Sequence, residues 1–502
     1  MAKKHACEQA GIYVGNIRQP FKRKAGATTC SSQEPGSPVA SIGLNTAFIF
    51  VRLTRRLAKP EYGDFVEGES IMAPPAQPPR SEGSSQGLSQ GLSQGLAKAP
   101  VLPWLLIVCG CLIAMTTFGP RSAMGFFQLP MIELHGWDRT TFGLAIAIQN
   151  LFWGAGQPFF GAISDKYGTW RVLATGAVCY ALGLYLMSVA DAPWLLHLSA
   201  GVLVGLGIAA GSFSIVMAAF ARNVAAENRT FVFGLGTAAG SAGMAFFSPL
   251  TVALIAEYGW QDTLVWLAGL MMIIPLLAIP LAGNAKTSGT SAMEMEQTIG
   301  EALREAVGHQ SYLLLVAGFF VCGFQVAFIT AHFPAYLMDI GIDAYWAGIA
   351  LMLIGLLNIV GSLGSGIVSK KRHMPHLLAL IYIGRSIAVT AFLLVPQTPV
   401  TVVLFSCVMG VLWLSTVPPT NALVAVMFGT RYLGMLGGIV FFSHQIGSFL
   451  GVWLGGYLYD VYGSFDPVWW LGVALGIFAA AVHWPIRQAP VERMTAGQTH
   501  IA

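Results

Sequence analysis

The sequence predicts an all-α membrane protein with twelve transmembrane helices in two pseudo-symmetric six-helix halves. Three observations carry that expectation. Of 502 residues, 55% are hydrophobic and only 10% charged, and mean hydropathy is +0.65, which excludes a soluble globular domain. From Val101 onward, apolar runs of about twenty residues recur between short polar breaks. Each run is long enough to span hydrocarbon as a helix, which satisfies its own backbone polar groups there. Finally, the second group of six runs repeats features of the first at a constant offset.

Residues 1–100 differ from the rest. They hold twelve of the 27 Lys and Arg, a proline cluster (Pro74, Pro75, Pro78, Pro79) and three copies of Ser-Gln-Gly-Leu between Ser85 and Leu96. Such a segment buries too little apolar surface to offset its chain entropy, so disorder is expected. Ile42 to Val51 is apolar but too short to span, and no signal-peptide cleavage site follows an early apolar stretch. Met72 opens a shorter tail, so translation is expected to start there; N-terminal sequencing that finds earlier residues would refute this. The seven cysteines lack zinc spacing, and five lie in apolar runs, where they read as small core residues without a disulfide framework.

The twelve runs cover about 101–128, 141–163, 170–190, 194–222, 230–256, 261–282, 311–337, 345–369, 376–395, 399–427, 432–459 and 466–487, helices 1 to 12 below. The expected organisation is therefore an N-terminal half over 101–282, a linker over 283–310, a C-terminal half over 311–487 and a tail over 488–502. Loops on one side carry Lys166, Arg171, Arg222, Arg229, Lys286, Arg304, Lys370, Lys371, Arg372 and Arg431, whereas the other side carries Arg139 alone. The positive-inside rule then puts both termini in the cytoplasm. In the linker, Met295, Ile299, Ala302, Leu303, Ala306 and Val307 fall at helical spacing and predict an amphipathic helix on the inner membrane surface. A shift of 205 lays Gly156, Gly161 and Lys166 on Gly361, Gly366 and Lys371. A shift of 204 lays Gly234, Gly243 and Tyr258-Gly259 on Gly438, Gly447 and Tyr462-Gly463. Parallel six-helix repeats place a binding site between them near the bilayer midplane.

Between helices 2 and 3 runs Gly161-Ala-Ile-Ser-Asp165-Lys166-Tyr-Gly168-Thr-Trp-Arg171, a charged turn pinned between two apolar stretches. Its glycines permit close backbone packing, and its charges can pair with helix ends or one another to clasp one face of the bundle. The pattern Gly-x-x-x-Asp-Lys-x-Gly-x-x-Arg resembles the signature loop of the major facilitator superfamily of secondary transporters. That resemblance implies the major facilitator fold and makes Gly161, Asp165, Lys166, Gly168 and Arg171 a cytoplasmic gate.

Few polar groups remain inside the spans. Arg121 in helix 1 and Arg385 in helix 9 are the Lys or Arg not assigned to a loop or tail, and an arginine at a helix centre costs roughly 2.5–3.5 kcal/mol to insert. Arg121 shares a helical face with Thr117, Gly125 and Gln128; Gln325 and His332 share one in helix 7. His444-Gln445 and Ser448 in helix 11, Gln149, Asn150, Trp153 and Gln157 in helix 2, Ser212 and Ser214 in helix 4 and Asn358 in helix 8 extend the set. Helix 10 carries Trp413, Ser415 and Thr416 before Pro418-Pro419 and Asn421, so a break is expected there. For the amides and hydroxyls, interhelical bonding is the plainer role. Every Asp and Glu after residue 100 falls in a loop, a tail or at a helix end, so no buried acid balances Arg121. An unpaired cation in a low-dielectric cavity is best matched by an anionic substrate, most simply a small carboxylate. Arg385 could serve the same anion or pair with helix-end carbonyls. His332 and His444 could carry a proton or be satisfied core histidines.

From Val101 to Ile486 the core resembles bacterial relatives of monocarboxylate porters and oxalate/formate exchangers. The features that carry the likeness are Phe118-Gly119-Pro120-Arg121-Ser122, Glu133-Leu134-His135-Gly136-Trp137, Arg229 with Gly234, Gly236, Gly240 and Gly243 after it, and Ser443-His444-Gln445-Ile446-Gly447. It implies transport of mono- or dicarboxylates across a bacterial inner membrane by proton symport or exchange, with a cavity lined by helices 1, 4, 7 and 10. Those families commonly carry an arginine in helix 8; here that helix is uncharged, and Arg121 and Arg385 are the substitutes available. The expected site comprises Arg121, Gln128, Asn150, Gln325, His332, Arg385, Trp413 and Asn421, with His332 and His444 as proton carriers. The expected partners are a small anion, the lipid bilayer and protons; the expected state is a monomer that binds no nucleic acid, metal or cofactor and catalyses no reaction. Export of amphipathic compounds, or a non-transporting receptor on this scaffold, are the alternatives.

Overall fold

The computed structural model describes residues 103–282, 297–429 and 432–491. The expectations for residues 1–100, Met72, Met295 and the end of the tail lie outside them. By length and apolarity, ten stretches qualify as membrane spans. Two further helices escape that measure. The stretch Phe231–Leu277 turns at Gly259, where φ is +80°, and so holds two helices, while Arg139–Tyr167 is long enough at 29 residues but interrupts its apolar surface with amides and end charges. Twelve membrane-length helices result among the described residues, as the sequence predicts.

Helix 1 runs Trp104–Ser122, loosens after Pro120 into a tight turn at Met124–Phe127 and continues as Gln128–His135. Helix 2, Arg139–Tyr167, opens on Asp138, whose carboxylate accepts from Thr141 N at 2.7 Å, and stops at Gly168, where φ is +93°. Helix 3 is Thr169–Ser188. Helix 4 is assembled from Pro193–Leu196, a π turn at His197–Leu203, Val204–Ala210 and, after a break, Phe213–Asn223. Helices 5 and 6 share Ala226–Met271 across the Gly259 turn. Helix 7, Gln310–Asp339, is the most buried, with helix 8, Ala344–Val368, and helix 9, Met374–Leu394, following. Helix 10 is split into Pro399–Leu412 and Val417–Phe428, so the expected break falls just ahead of Pro418, which opens the second piece. Helices 11 and 12 are Leu433–Tyr462 and Asp466–His483.

The linker helix, Ile299–Gly308, is held by a capping box: Thr298 Oγ1 accepts from Glu301 N, and Glu301 Oε2 accepts from Thr298 N. Ala302 and Ala306 are buried, and Ala306 joins the core beside Tyr312 and Leu315. Ile299, Leu303 and Val307, spaced four apart, stay exposed as an outward apolar stripe.

The repeat is visible in geometry as well as in sequence. Gly259 and Gly463, one offset of 204 apart, both take positive φ to turn the chain. At the offset of 205, Tyr180 of helix 3 corresponds to Arg385 of helix 9, Thr117 to Cys322, and Gly211, at the helix 4 break, to Thr416, at the helix 10 break. Tyr180 Oη donates to Thr117 O at 3.4 Å, while an Arg385 guanidinium nitrogen lies 3.5 Å from Cys322 Sγ. Gly211 packs on Thr117, and Thr416 Oγ1 lies 3.3 Å from Cys322 Sγ. Each half thus breaks its fourth helix beside its first and buttresses the contact from its third.

Helices 7 and 11 approach through small residues, the usual device where no water drives association. A Cβ placed on Gly447 would fall 1.9 Å from Phe320 O, so no rotamer adjustment can admit a larger side chain. Gly447→Val should therefore destabilise the folded protein by roughly 1–3 kcal/mol or more, measurable as a lower thermal midpoint in detergent.

The two ends of the bundle differ. At the Arg139 end the halves touch: Gly456 leaves no room for a Cβ against Arg139 O (2.5 Å), and a Cβ on Gly143 would lie 3.0 Å from Val452 O. At the Asp165 end, a Cβ on Gly161, Gly234 or Gly438 would meet nothing within 4 Å. Among the described residues, the halves are joined by close contacts at the first, closed end, and these glycines carry none at the second, which is called the open end below.

Candidate functional site

Arg121 lies where helix 1 yields after Gly119-Pro120, half-way along the bundle and partly buried. One guanidinium nitrogen donates to Asn150 Oδ1 of helix 2 at 2.5 Å, and the guanidinium carbon stands 4.5 Å from the centre of the Trp153 ring. Trp153 is held edge-on by Phe118 of helix 1 and Phe441 of helix 11. Two donors remain without a partner in the protein, Arg121 Nε and Trp153 Nε1. Arg121, Met124, Ile146, Gln149 and Asn150 from one half and Ala327, Thr330 and Ala331 of helix 7 from the other line a cavity with room for about one water molecule. The charge therefore sits on the seam between halves.

Among the described residues, the ion pairs are Arg139–Asp339 (2.7 Å) and Arg222–Asp165 (3.5 Å), both at bundle ends. Neither supplies Arg121 with a carboxylate, which leaves the local charge positive.

Arg385 is built differently. It is fully buried, its Nε and one terminal nitrogen donate to Leu412 O at 3.1 and 2.8 Å, and it also bonds Trp413 O and, more loosely, Gln325 Oε1. These carbonyls are the ones freed by the helix 10 break. Trp413 meets Arg385 through its backbone, and its own ring is buried.

The shared face expected of Gln325 and His332 does not bring their side chains together. Gln325 Nε2 donates to Gly472 O of helix 12 at 2.8 Å, whereas His332 Nε2 bonds Val452 O of helix 11 at 2.8 Å and its Nδ1 meets the Gln128 amide at 3.2–3.3 Å. Gln128 itself is separated from Arg121 by the Met124–Phe127 turn, which interrupts the helical periodicity that placed them on one face. His444 stacks on Phe441 and bonds Gln445 Oε1 through Nδ1 at 3.0 Å. Asn421 is exposed, with its side-chain oxygen beside Gly437.

Two amides stitch the seam near this depth. Gln445 Nε2 donates to Asn150 O at 3.0 Å, and Asn358 Nδ2 donates to Ser241 Oγ at 2.9 Å. Asn358 Oδ1 also accepts from Leu414 N in the helix 10 break. Ser241 and Gln445 stand one offset of 204 apart, so each seam is joined from the same position of the repeat to an asparagine of the facing helix, about one turn from equivalence.

In the signature turn, Asp165 is 63% exposed and reaches Arg222 of helix 4 within its own half. Lys166 lies over the Tyr167 ring, Arg171 donates to Tyr167 O, and Arg222 also binds Thr169 Oγ1. Among the described residues, the bonds of the turn thus tie it to its own half.

A sequence profile described as the Major Facilitator Superfamily matches residues 106–452. The chain belongs to that superfamily. It is 25% identical over 370 residues to a Bacillus subtilis (strain 168) protein described as an uncharacterized MFS-type transporter, YcxA, covering 72% of this chain and 90% of the relative. To rat (Rattus norvegicus) monocarboxylate transporter 13 it is 26% identical, covering 72% and 83%. Among solved structures, a bacterial homolog of the human lysosomal transporter Spinster, inward-facing and unoccupied, superposes with a TM-score of 0.63 at 14% identity, covering 76% of this chain and 96% of that one. A point mutant of the nucleoside transporter NupG does so at 0.62 and 13% identity, covering 76% and 99%. These likenesses share the fold. The superfamily member described here is accordingly a multi-pass membrane transporter rather than an enzyme.

Proposed function

We propose that this superfamily member carries a small organic anion, a mono- or dicarboxylate, by alternating access across a bacterial inner membrane, with proton symport or exchange as the driving process. The single observation behind the reading is Arg121: a midplane guanidinium on the seam between halves, bonded to a neutral amide and an aromatic face, with no carboxylate of its own. A carboxylate entering from the open end would supply the missing charge and take hydrogen bonds from Arg121 Nε and Trp153 Nε1. Arg121, Asn150 and Trp153 form the core of this site; the His332–Gln128 contact on one side and His444 with Gln445 on the other are the groups through which a proton would pass.

The basic loops lie at the open Asp165 end, so this end faces the cytoplasm by the positive-inside rule. Monocarboxylate transporter 13 among the relatives agrees with an anionic cargo. The test is uptake by protein reconstituted in vesicles, using labelled lactate and labelled oxalate against a labelled lipophilic amine. Saturable uptake of a carboxylate is expected. Saturable movement of the amine alone would overturn the reading.

A further inference from the structure

The closed end contains a constellation that the midplane site does not use. Arg139 is the first residue of helix 2 and belongs to the N-terminal half; the acceptors of its backbone N–H and of its guanidinium come from the other half. Its guanidinium pairs with Asp339, the last residue of helix 7, at 2.7 Å and lies 3.9 Å from the centre of the Tyr459 ring. Asp460 of helix 11 accepts from Arg139 N at 3.1 Å, Thr140 N at 2.7 Å and Thr140 Oγ1 at 2.5 Å. These amides are the unpaired donors of the first turn of helix 2, where the helix dipole also favours a negative charge. Asp138 caps only Thr141 N. The capping of helix 2 is therefore completed by a carboxylate from across the seam.

One turn deeper on the same face of helix 11, Gly456 packs on Arg139 O, and a further turn down Val452 O receives His332 Nε2 and touches Gly143. This seam has two layers, a charged latch at the surface and a His332–Gln128 contact beneath it. At the opposite end, by contrast, the Arg222–Asp165 pair stays within one half and offers no resistance to separation.

We propose that Arg139, Thr140, Asp339 and Asp460 form the latch that seals this end of the transporter, so that their separation is the step that opens the midplane site to the Arg139 side. The proposal rests on the alternating-access reading above, and its test uses no substrate, so failure of the latch and failure of the carboxylate assignment are separable. Replacing Asp460 by asparagine removes one of its two acceptor oxygens and the negative charge at the N-terminus of helix 2, a loss felt in the closed state alone. The equilibrium then shifts toward the state open at this end.

The experiment places one cysteine at either end in turn. Val452→Cys reports on the sealed seam; Gly438→Cys, two helical repeats from Gln445 on the same face, reports on the open one. Each is treated with a membrane-impermeant maleimide applied from its own side, with the chain lacking the added cysteine as the blank. Adding Asp460→Asn should raise labelling of Val452→Cys about tenfold and lower that of Gly438→Cys. Arg139→Gln should act in the same sense. Opposite changes at the two ends cannot come from unfolding, which exposes both. Unchanged labelling at Val452→Cys, or a rise at both ends, overturns the proposal.

Discussion

Replacing Arg121 with glutamine should lower vesicle uptake of labelled lactate or oxalate about 100-fold or more while the amount of folded protein in the membrane stays unchanged. The two halves of that expectation have separate causes. Uptake falls because the neutral amide cannot supply the charge that offsets dehydration of a carboxylate in the site. Folding survives because Arg121 makes few structural bonds: one to Asn150, itself also held by Ile146 O and by Gln445 through its backbone, and a stacking contact with Trp153. Removing a charge that lacks an internal counter-ion also relieves a desolvation cost, which offsets the lost bond to Asn150. Arg121→Lys keeps the charge but cannot reproduce the flat contact with Trp153 or direct two donors in parallel, and should retain part of the uptake at a raised KM. Full uptake by Arg121→Gln would defeat the anion assignment.

The sequence makes Arg121 visible through charge counting alone. An arginine in a span with every acid beyond residue 100 at a helix end is an unbalanced charge in any packing of the helices. Helix ends are local too, since Asp138, Gly168 and Gly463 act through their own neighbours, and the apolar runs end within a few residues of them. The latch was not legible. Asp460 and Thr140 are 320 positions apart, and each alone is an ordinary charged or polar residue at a helix end. The one signal for it lay in the charge asymmetry, since Arg139 is the lone base on its side and a base retained there invites the question of its partner. Helical periodicity failed where the helix itself changes: Gln128 follows a tight turn and so leaves the face of Arg121. It also failed for Gln325 and His332, whose long side chains swing to helices 12 and 11. The helix 4 break at Gly211–Ser212 has no proline to announce it, yet the offset of 205 carries the helix 10 break onto it.

The second arginine should fail in the opposite way. Arg385→Met is expected to cost roughly 2–5 kcal/mol of stability, seen as a sharply lower thermal midpoint and less protein in the membrane, while uptake per folded molecule changes less than about threefold. Helix 10 stops at Leu412 and restarts at Val417, which strands Leu412 O and Trp413 O in a dry interior. Arg385 donates to both, and no other donor to either is present among the described residues. A methionine fills much of the same volume but donates nothing, leaving each carbonyl with a desolvation cost of about 1–3 kcal/mol. In the N-terminal half, Tyr180 occupies the equivalent place, and the helix 4 break needs no such cation because Gly211 N still bonds Gly207 O at 2.8 Å. The inequality explains why a charge stands at this place in helix 9 and none at the equivalent place, Tyr180, in helix 3. If Arg385→Met instead folded normally and lost uptake, the guanidinium would be holding cargo rather than the helix 10 break, and the anion site would extend into the C-terminal half.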